Sequence, residues 1–221
     1  GPSLSGFGVP DVLRDPVLSV YNSSGTLIAT NDNWQSDGNH FIVEANGLTP
    51  SSPLEAAIER TLAPGAYTVI VNGKDPTPGI ALVELYDISP LSGDAKLENM
   101  STRGSVGTAD DVLISGFIIG DVESATVIIR ALGPSLASYG VSGVLSNPTL
   151  TIYDSSGSAI ASNDNWQDNV NWIDIRKNAL SPPNPLESAL VLRLPAGKYT
   201  AIVSGADGGT GNALVEVYHI N

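Results

Sequence analysis

The stretch Asn31-Asp32-Asn33-Trp34-Gln35 recurs unchanged as Asn163-Asp164-Asn165-Trp166-Gln167, 132 residues further on. The same offset carries Gly1-Pro2-Ser3-Leu4 onto Gly133-Pro134-Ser135-Leu136 and Tyr21-Asn22-Ser23-Ser24-Gly25 onto Tyr153-Asp154-Ser155-Ser156-Gly157. It also carries Pro53-Leu54-Glu55 onto Pro185-Leu186-Glu187, and Ala81-Leu82-Val83-Glu84 onto Ala213-Leu214-Val215-Glu216. No gap is needed between Gly1 and Ser89, and roughly half of the paired positions are identical, which makes the chain a tandem repeat. Residues 91–132 have no counterpart ahead of Gly1. The expected division is therefore 1–90, a copy lacking its first strands, and 91–221, a complete copy. In the first copy the missing strands are expected to come from an upstream segment or from another chain.

Each copy reads as β-structure. Residues 18–21 alternate apolar and polar, a strand period, and Asn22-Ser23-Ser24-Gly25 turns the chain into a returning strand. Residues 54–62 contain helix formers, but their counterparts run Leu190-Val191-Leu192-Arg193-Leu194, which favours a strand in both copies. The β-branched and aromatic runs 67–71 and 199–203 follow, then 81–86 and 213–218. The unpaired segment adds runs at 112–119 and 125–131, while 91–111 is polar and reads as extended. Seven or eight short strands per complete copy, with turns at short intervals, indicate an all-β protein of two tandem jelly-roll-like antiparallel sandwiches.

Composition narrows the function classes. The chain has 221 residues, a net charge of −13 and no cysteine, so disulfides and thiolate chemistry are excluded. Such an acidic chain does not suit nucleic acid, whose phosphates require clustered Lys and Arg. No apolar run reaches the length of a transmembrane helix.

The run 149–164, Thr-Leu-Thr-Ile-Tyr-Asp-Ser-Ser-Gly-Ser-Ala-Ile-Ala-Ser-Asn-Asp, continues to Pro195-Ala196-Gly197-Lys198-Tyr199-Thr200. It resembles bacterial pre-peptidase C-terminal domains. The signatures Arg130-Ala131-Leu132-Gly133-Pro134-Ser135-Leu136 and Asn163-Asp164-Asn165-Trp166 resemble those of uncharacterised tandem modules in large secreted bacterial proteins. The resemblance implies a jelly-roll-like sandwich in an extracellular protein, in some members calcium-binding and usually without catalysis of its own. The acidic entry strand of pre-peptidase domains is matched here only by Asp110-Asp111.

Two chemistries are open for the recurring loop. Asn31, Asp32, Asn33, Asn163, Asp164 and Asn165 gather the carboxylate and amide oxygens that suit calcium. The alternative is that they cap turns by bonding their own backbone. Trp34, Trp166 and Trp172 suit either sugar stacking or packing over the end of the sandwich. Glu84 and Glu216, between apolar neighbours, are expected to face solvent. Neither His40 nor His219 recurs in the other copy, and no catalytic constellation is found, so an enzyme is not expected. The function expected is an extracellular structural protein. Copies of it would assemble head to tail into a fibre or surface layer by strand complementation of the first module, with segment 91–111 or a terminus as donor. The alternative is an adhesion, glycan-binding or cell-surface anchoring module of a larger secreted enzyme.

Overall fold

The computed structural model describes residues 1–89 and 98–220, and the chain divides into two compact units, Gly1–Lys96 and Leu97–Asn221. The junction expected at 90 and 91 lies outside the described residues. The fold is all-β and antiparallel, with one six-stranded and one three-stranded sheet.

The second unit is a sandwich made by bending one sheet. Its strands are β4 (Asn99–Val106), β5 (Leu113–Leu132), β6 (Pro148–Tyr153), β7 (Ala159–Asn163), β8 (Ser188–Gly205) and β9 (Gly211–Ile220), numbered after three strands of the first unit. The order is β4-β9-β5-β8-β6-β7. β5 and β8 are long enough to serve both layers. Residues 113–119 of β5 pair with 197–203 of β8, the register breaks between Ile119 and Ser124, and residues 124–131 pair with 188–195. One layer is thus β7, β6 and the adjoining halves of β8 and β5, and the other is the remaining halves with β9 and β4. Leu113, Val127, Ile129, Leu150, Ile152, Val203 and Val215 come from both layers and form one buried cluster. Alternation explains the facing: in β6, Pro148, Leu150 and Ile152 are buried and the residues between them are not.

The first unit repeats part of this plan. β1 (Pro16–Asn22), β2 (Leu27–Asn31) and β3 (Tyr67–Gly73) form a sheet ordered β2-β1-β3, the counterpart of β7-β6-β8. The hairpin turns match as well. Asn22 Oδ1 accepts the Ser24 and Thr26 amides, Asp154 Oδ1 accepts those of Ser156 and Ser158, and Gly25 and Gly157 take φ near 75° and 80°. Each Asn-Asp-Asn-Trp loop contains two short helical pieces. One is a 3-10 turn at Trp34–Ser36 or Trp166–Asp168, and the other is α1 (His40–Ala45) or α2 (Trp172–Lys177). These helices were not visible in the sequence, because six residues flanked by Asn and Gly leave too short a stretch for an apolar period to show.

The second layer of the first unit differs. The strand expected at 54–62 is present in the second unit as the start of β8, but residues 56–62 carry no strand. The strand expected at 81–86 is present as β9, but 81–88 carry none. The reason lies in the ladder. In the second unit both segments hydrogen-bond to β5, which lies between them. Residues 1–89 contain no counterpart of β5, so two segments of near-identical sequence have nothing to pair with.

Candidate functional site: the open face of the first unit

The recurring loop is built to hold chain segments together. Asn163 Oδ1 accepts the Ala189 amide at 3.0 Å, and Asn163 Nδ2 donates to the Asn165 carbonyl at 2.9 Å. Asn31 does the same with Ala57 and Asn33, at 3.1 and 3.0 Å. The Trp34 and Trp166 amides donate to the Glu55 and Glu187 carbonyls. The side chains of the Asn residues that end β2 and β7 therefore bridge to the next segment of the fold. Replacing Asn163 by Ala leaves the amide of fully buried Ala189 without a partner and is expected to destabilise the second unit by about 2 kcal/mol, read by denaturant unfolding.

Asp32 lies 2.5 Å from Lys74 Nζ, and Asp15 lies 3.8 Å from it. The hydrogen bond to Asp32, and then the charges of Asp15 and Asp32, raise the Lys74 pKa. In the second copy Ala206 replaces Lys74, Asn147 replaces Asp15, and Asp164 is exposed. Among the described residues, no three His, Asp or Glu side chains gather as a metal-holding group.

Trp34 and Trp166 are buried, and their rings meet His40 and Trp172 edge-on at 6.5 and 6.4 Å. Trp172 is half-buried and packs with Leu180 and Val191 against Ile175. The two aromatics that recur thus present no ring face on which a sugar could stack.

A second recurring pair links Gly-Pro-Ser to Pro-Leu-Glu. Fully buried Glu187 accepts from the Gly133 amide (3.0 Å), the Ser135 amide (2.9 Å) and the Ser135 hydroxyl (2.5 Å) on Oε1, and from the Asn184 amide (3.1 Å) on Oε2. Glu55 makes the same set with Gly1, Ser3 and Ser52. Glycine is required ahead of Pro-Ser because a Cβ on Gly133 would lie 2.2 Å from the Leu145 carbonyl oxygen, and one on Gly1 2.1 Å from that of Leu13. The sequence offered Glu55 and Glu187 only as matched acids. Their pairing with Gly-Pro-Ser, at one fixed separation in both copies, was the signal for this role.

Glu216 corrects the expectation of a solvent-facing acid. It is buried, and Arg130 of β5 bonds to its Oε2 through Nε at 2.9 Å and through a terminal guanidinium nitrogen at 2.5 Å. The same arginine donates to the Leu180 carbonyl and to the Tyr218 hydroxyl, and stacks over the Tyr218 ring at 5.1 Å. Tyr218 in turn donates to Glu216 Oε1 at 2.8 Å. Burial, and then the Glu216 carboxylate, push the Tyr218 pKa up. Strand alternation put Glu216 on the outer face of its layer, but there Arg130 and Tyr218 close over it, with Arg130 also tied to the Leu180 carbonyl after α2.

The first unit has the acid and the tyrosine without the arginine. Tyr86 donates to Glu84 at 2.9 Å, and that bond raises the Tyr86 pKa. Arg130 aligns ahead of Gly1, so residues 1–89 have no counterpart for it. The apolar neighbours are uncovered too. Val83 is 49% exposed where Val215 is 0%, Leu85 is 53% where Val217 is 8%, and Leu62 is 44% where Leu194 is 5%. Among the described residues β3 is an edge strand of its sheet; Ala66 precedes it, and Thr68 and Ile70 lie within it. Their counterparts Lys198, Thr200 and Ile202 pair with Ile118, Gly116 and Ile114 of β5. The uncovered surface of the first unit thus coincides with the track that β5 occupies in the second.

Comparison with known proteins adds two distant likenesses. No family model matches the chain, and no curated protein matches it. Among solved structures, the pre-peptidase C-terminal domain of collagenase from Bacillus anthracis is 17% identical, with a TM-score of 0.34, over 54% of this chain and 88% of that one. The VP2 subviral particle of infectious bursal disease virus is 12% identical, with a TM-score of 0.24, over 94% of this chain and 56% of that one. Among the described residues, no helix is long and apolar enough to cross a membrane.

Proposed function

We propose that this is a non-enzymatic extracellular structural protein whose first unit takes up a β-strand from a neighbouring copy, so that copies join head to tail. The observation that carries the reading is the contrast between Val83, Leu85 and Leu62 and their buried counterparts: an apolar track is built and left open. Unpaired edges beside exposed apolar side chains are what strand addition uses. A heterologous contact between an acceptor in the first unit and a donor in the second propagates into a filament where the rotation between copies does not close a ring.

The donor in this reading is β4. Among the described residues it pairs with β9 alone, at the margin of its sheet, so releasing it breaks a single ladder there. It lies within the polar segment expected to donate. The extracellular placement rests on the Ser-, Thr-, Asn- and Gly-rich composition and on the resemblance to secreted modules.

Sedimentation velocity and negative-stain microscopy of the full chain test the proposal. Size that grows with concentration, ending in linear particles, is the expected result. A chain that stays monomeric at the highest concentration reached, with its first unit folded, overturns it.

A further inference from the structure

We infer that Tyr139 and Phe7 are stacking platforms for an uncharged polysaccharide, one on each unit. The inference is independent of strand uptake and uses neither the open track nor β4.

Five aromatic positions recur as aromatics at the common offset: Phe7 and Tyr139, Tyr21 and Tyr153, Trp34 and Trp166, Tyr67 and Tyr199, Tyr86 and Tyr218. Only the first is exposed in both units, at 84% for Phe7 and 80% for Tyr139. β5 is present and runs straight into the segment that carries Tyr139, so the exposure of that ring does not come from a missing strand. A single exposed aromatic is ordinary. Here the ring is kept twice, while the two residues before it change from Ser5-Gly6 to Ala137-Ser138.

The ring is also held in the same way twice. It ends a six-residue 3-10 turn, Pro2–Phe7 or Pro134–Tyr139, which closes on a left-handed glycine with φ of 81° at Gly8 and 79° at Gly140. The Gly8 and Gly140 amides donate to the Ser5 and Ala137 carbonyls at 3.1 Å, and the Val9 and Val141 amides to those of Leu4 and Leu136 at 3.3 Å. In the second unit Leu136 is buried and Ser135 is tied to Glu187, so the turn is anchored and Tyr139 is presented on fixed backbone. A rigid ring offers contact area at little entropic cost.

The surroundings indicate the ligand. Between Arg130 and Asp154 no residue is charged, and residues 1–10 are uncharged too, in a chain of net charge −13. Glu187 is fully buried and adds no exposed charge. Leu186, which precedes it, and the matching Leu54 are both exposed and add apolar surface at the same end of each unit. An aromatic face among hydroxyls and apolar groups, with no ionic partner, suits the C–H face of a neutral pyranose ring rather than an anionic chain. One ring per unit binds weakly, and a polymer of repeated sugars lets the two units add their contributions.

Pull-down of the full chain on insoluble cellulose and on insoluble chitin tests this, with polygalacturonate as the anionic control. Binding to at least one neutral polymer, little changed by salt, is the expected result. Phe7→Ala and Tyr139→Ala are each expected to weaken it by roughly 10-fold, and the pair together to abolish it. Phe7→Tyr and Tyr139→Phe are expected to retain it, because the ring face and not the hydroxyl makes the contact. Denaturant unfolding and head-to-tail assembly of the double Ala variant are expected to match wild type, since neither ring packs in its unit. No binding to either neutral polymer, or binding that persists undiminished in the double Ala variant, overturns the inference. Assembly lost in that variant with polysaccharide binding intact also overturns it, and assigns the rings to a contact between copies.

Discussion

Fusing a second copy of residues 112–132 directly ahead of Gly1 is expected to raise the thermal unfolding midpoint of the first unit by about 10 °C or more and to stop head-to-tail assembly. In the second unit Leu132 runs straight into Gly133, so the graft needs no linker. The Gly1 nitrogen would become a peptide N–H and still reach Glu55, as that of Gly133 reaches Glu187. The graft supplies what residues 56–62 and 81–88 lack, a strand with a ladder on each side. It also covers Leu62, Val83 and Leu85. Burying side chains of this size completely is worth about 1.5–3 kcal/mol each, and these start roughly half-exposed. The graft also buries its own Val, Ile and Leu side chains and gains two ladders of hydrogen bonds, which together offset the cost of ordering it, and in a unit of this size each net 1 kcal/mol moves the midpoint by roughly 4–8 °C. Because the slot is then occupied in cis, a neighbour has nowhere to insert. Differential scanning calorimetry and sedimentation of the grafted chain check both effects.

Replacing Glu187 by Ala is expected to cost the second unit about 3–5 kcal/mol, the largest loss from any single side chain considered. The carboxylate is fully buried and accepts four hydrogen bonds. Bonds to a charged acceptor are worth about 1.5–3 kcal/mol each, and removing the acceptor strands the donors in a closed site. Glu187→Gln keeps the shape and one acceptor oxygen, so it is expected to cost less than Ala. Chemical denaturation followed through Trp166 and Trp172 reads the change, since the first unit holds only Trp34.

Glu55 adds a pH dependence in the first unit. Burial works to raise its pKa, but the Ser3 hydroxyl, the Gly1 ammonium and the Ser3 amide outweigh it and hold it down to about 2, from 4.5. A carboxylate whose folded pKa is depressed stabilises the fold above its unfolded value. That stabilisation is fully present above about pH 4.5 and drains away as pH falls toward 2. Glu55→Gln is expected to flatten the acid limb of the first unit's stability curve.

The repeat and the β-class were legible because identity at a fixed offset and strand alternation are local properties of the chain. The hairpins around Gly25 and Gly157 could be read for the same reason. Strand formation at 56–62 and 81–88 could not be read locally. Ala81-Leu82-Val83-Glu84 and Ala213-Leu214-Val215-Glu216 are identical, yet only the second is a strand, because a strand needs its neighbour and that neighbour is β5. The same distance hid the Arg130–Glu216 pair, whose members are 86 residues apart and meet only when β5 lies against β9. The recurring Asn was visible as a special position. Its bond to Ala57 or Ala189 was not, since those residues lie 26 positions away across the loop.

Amide hydrogen exchange over residues 56–62 and 81–88 tests strand uptake most directly. In dilute monomer these amides are expected to exchange quickly, while 188–194 and 213–219 exchange slowly. In assembled material and in the grafted chain, protection of the first-unit segments is expected to rise by roughly 1,000-fold, the scale of a few kcal/mol of local opening energy. Strong protection already in the monomer, or none in the graft, would contradict the reading of the first unit as an open strand acceptor.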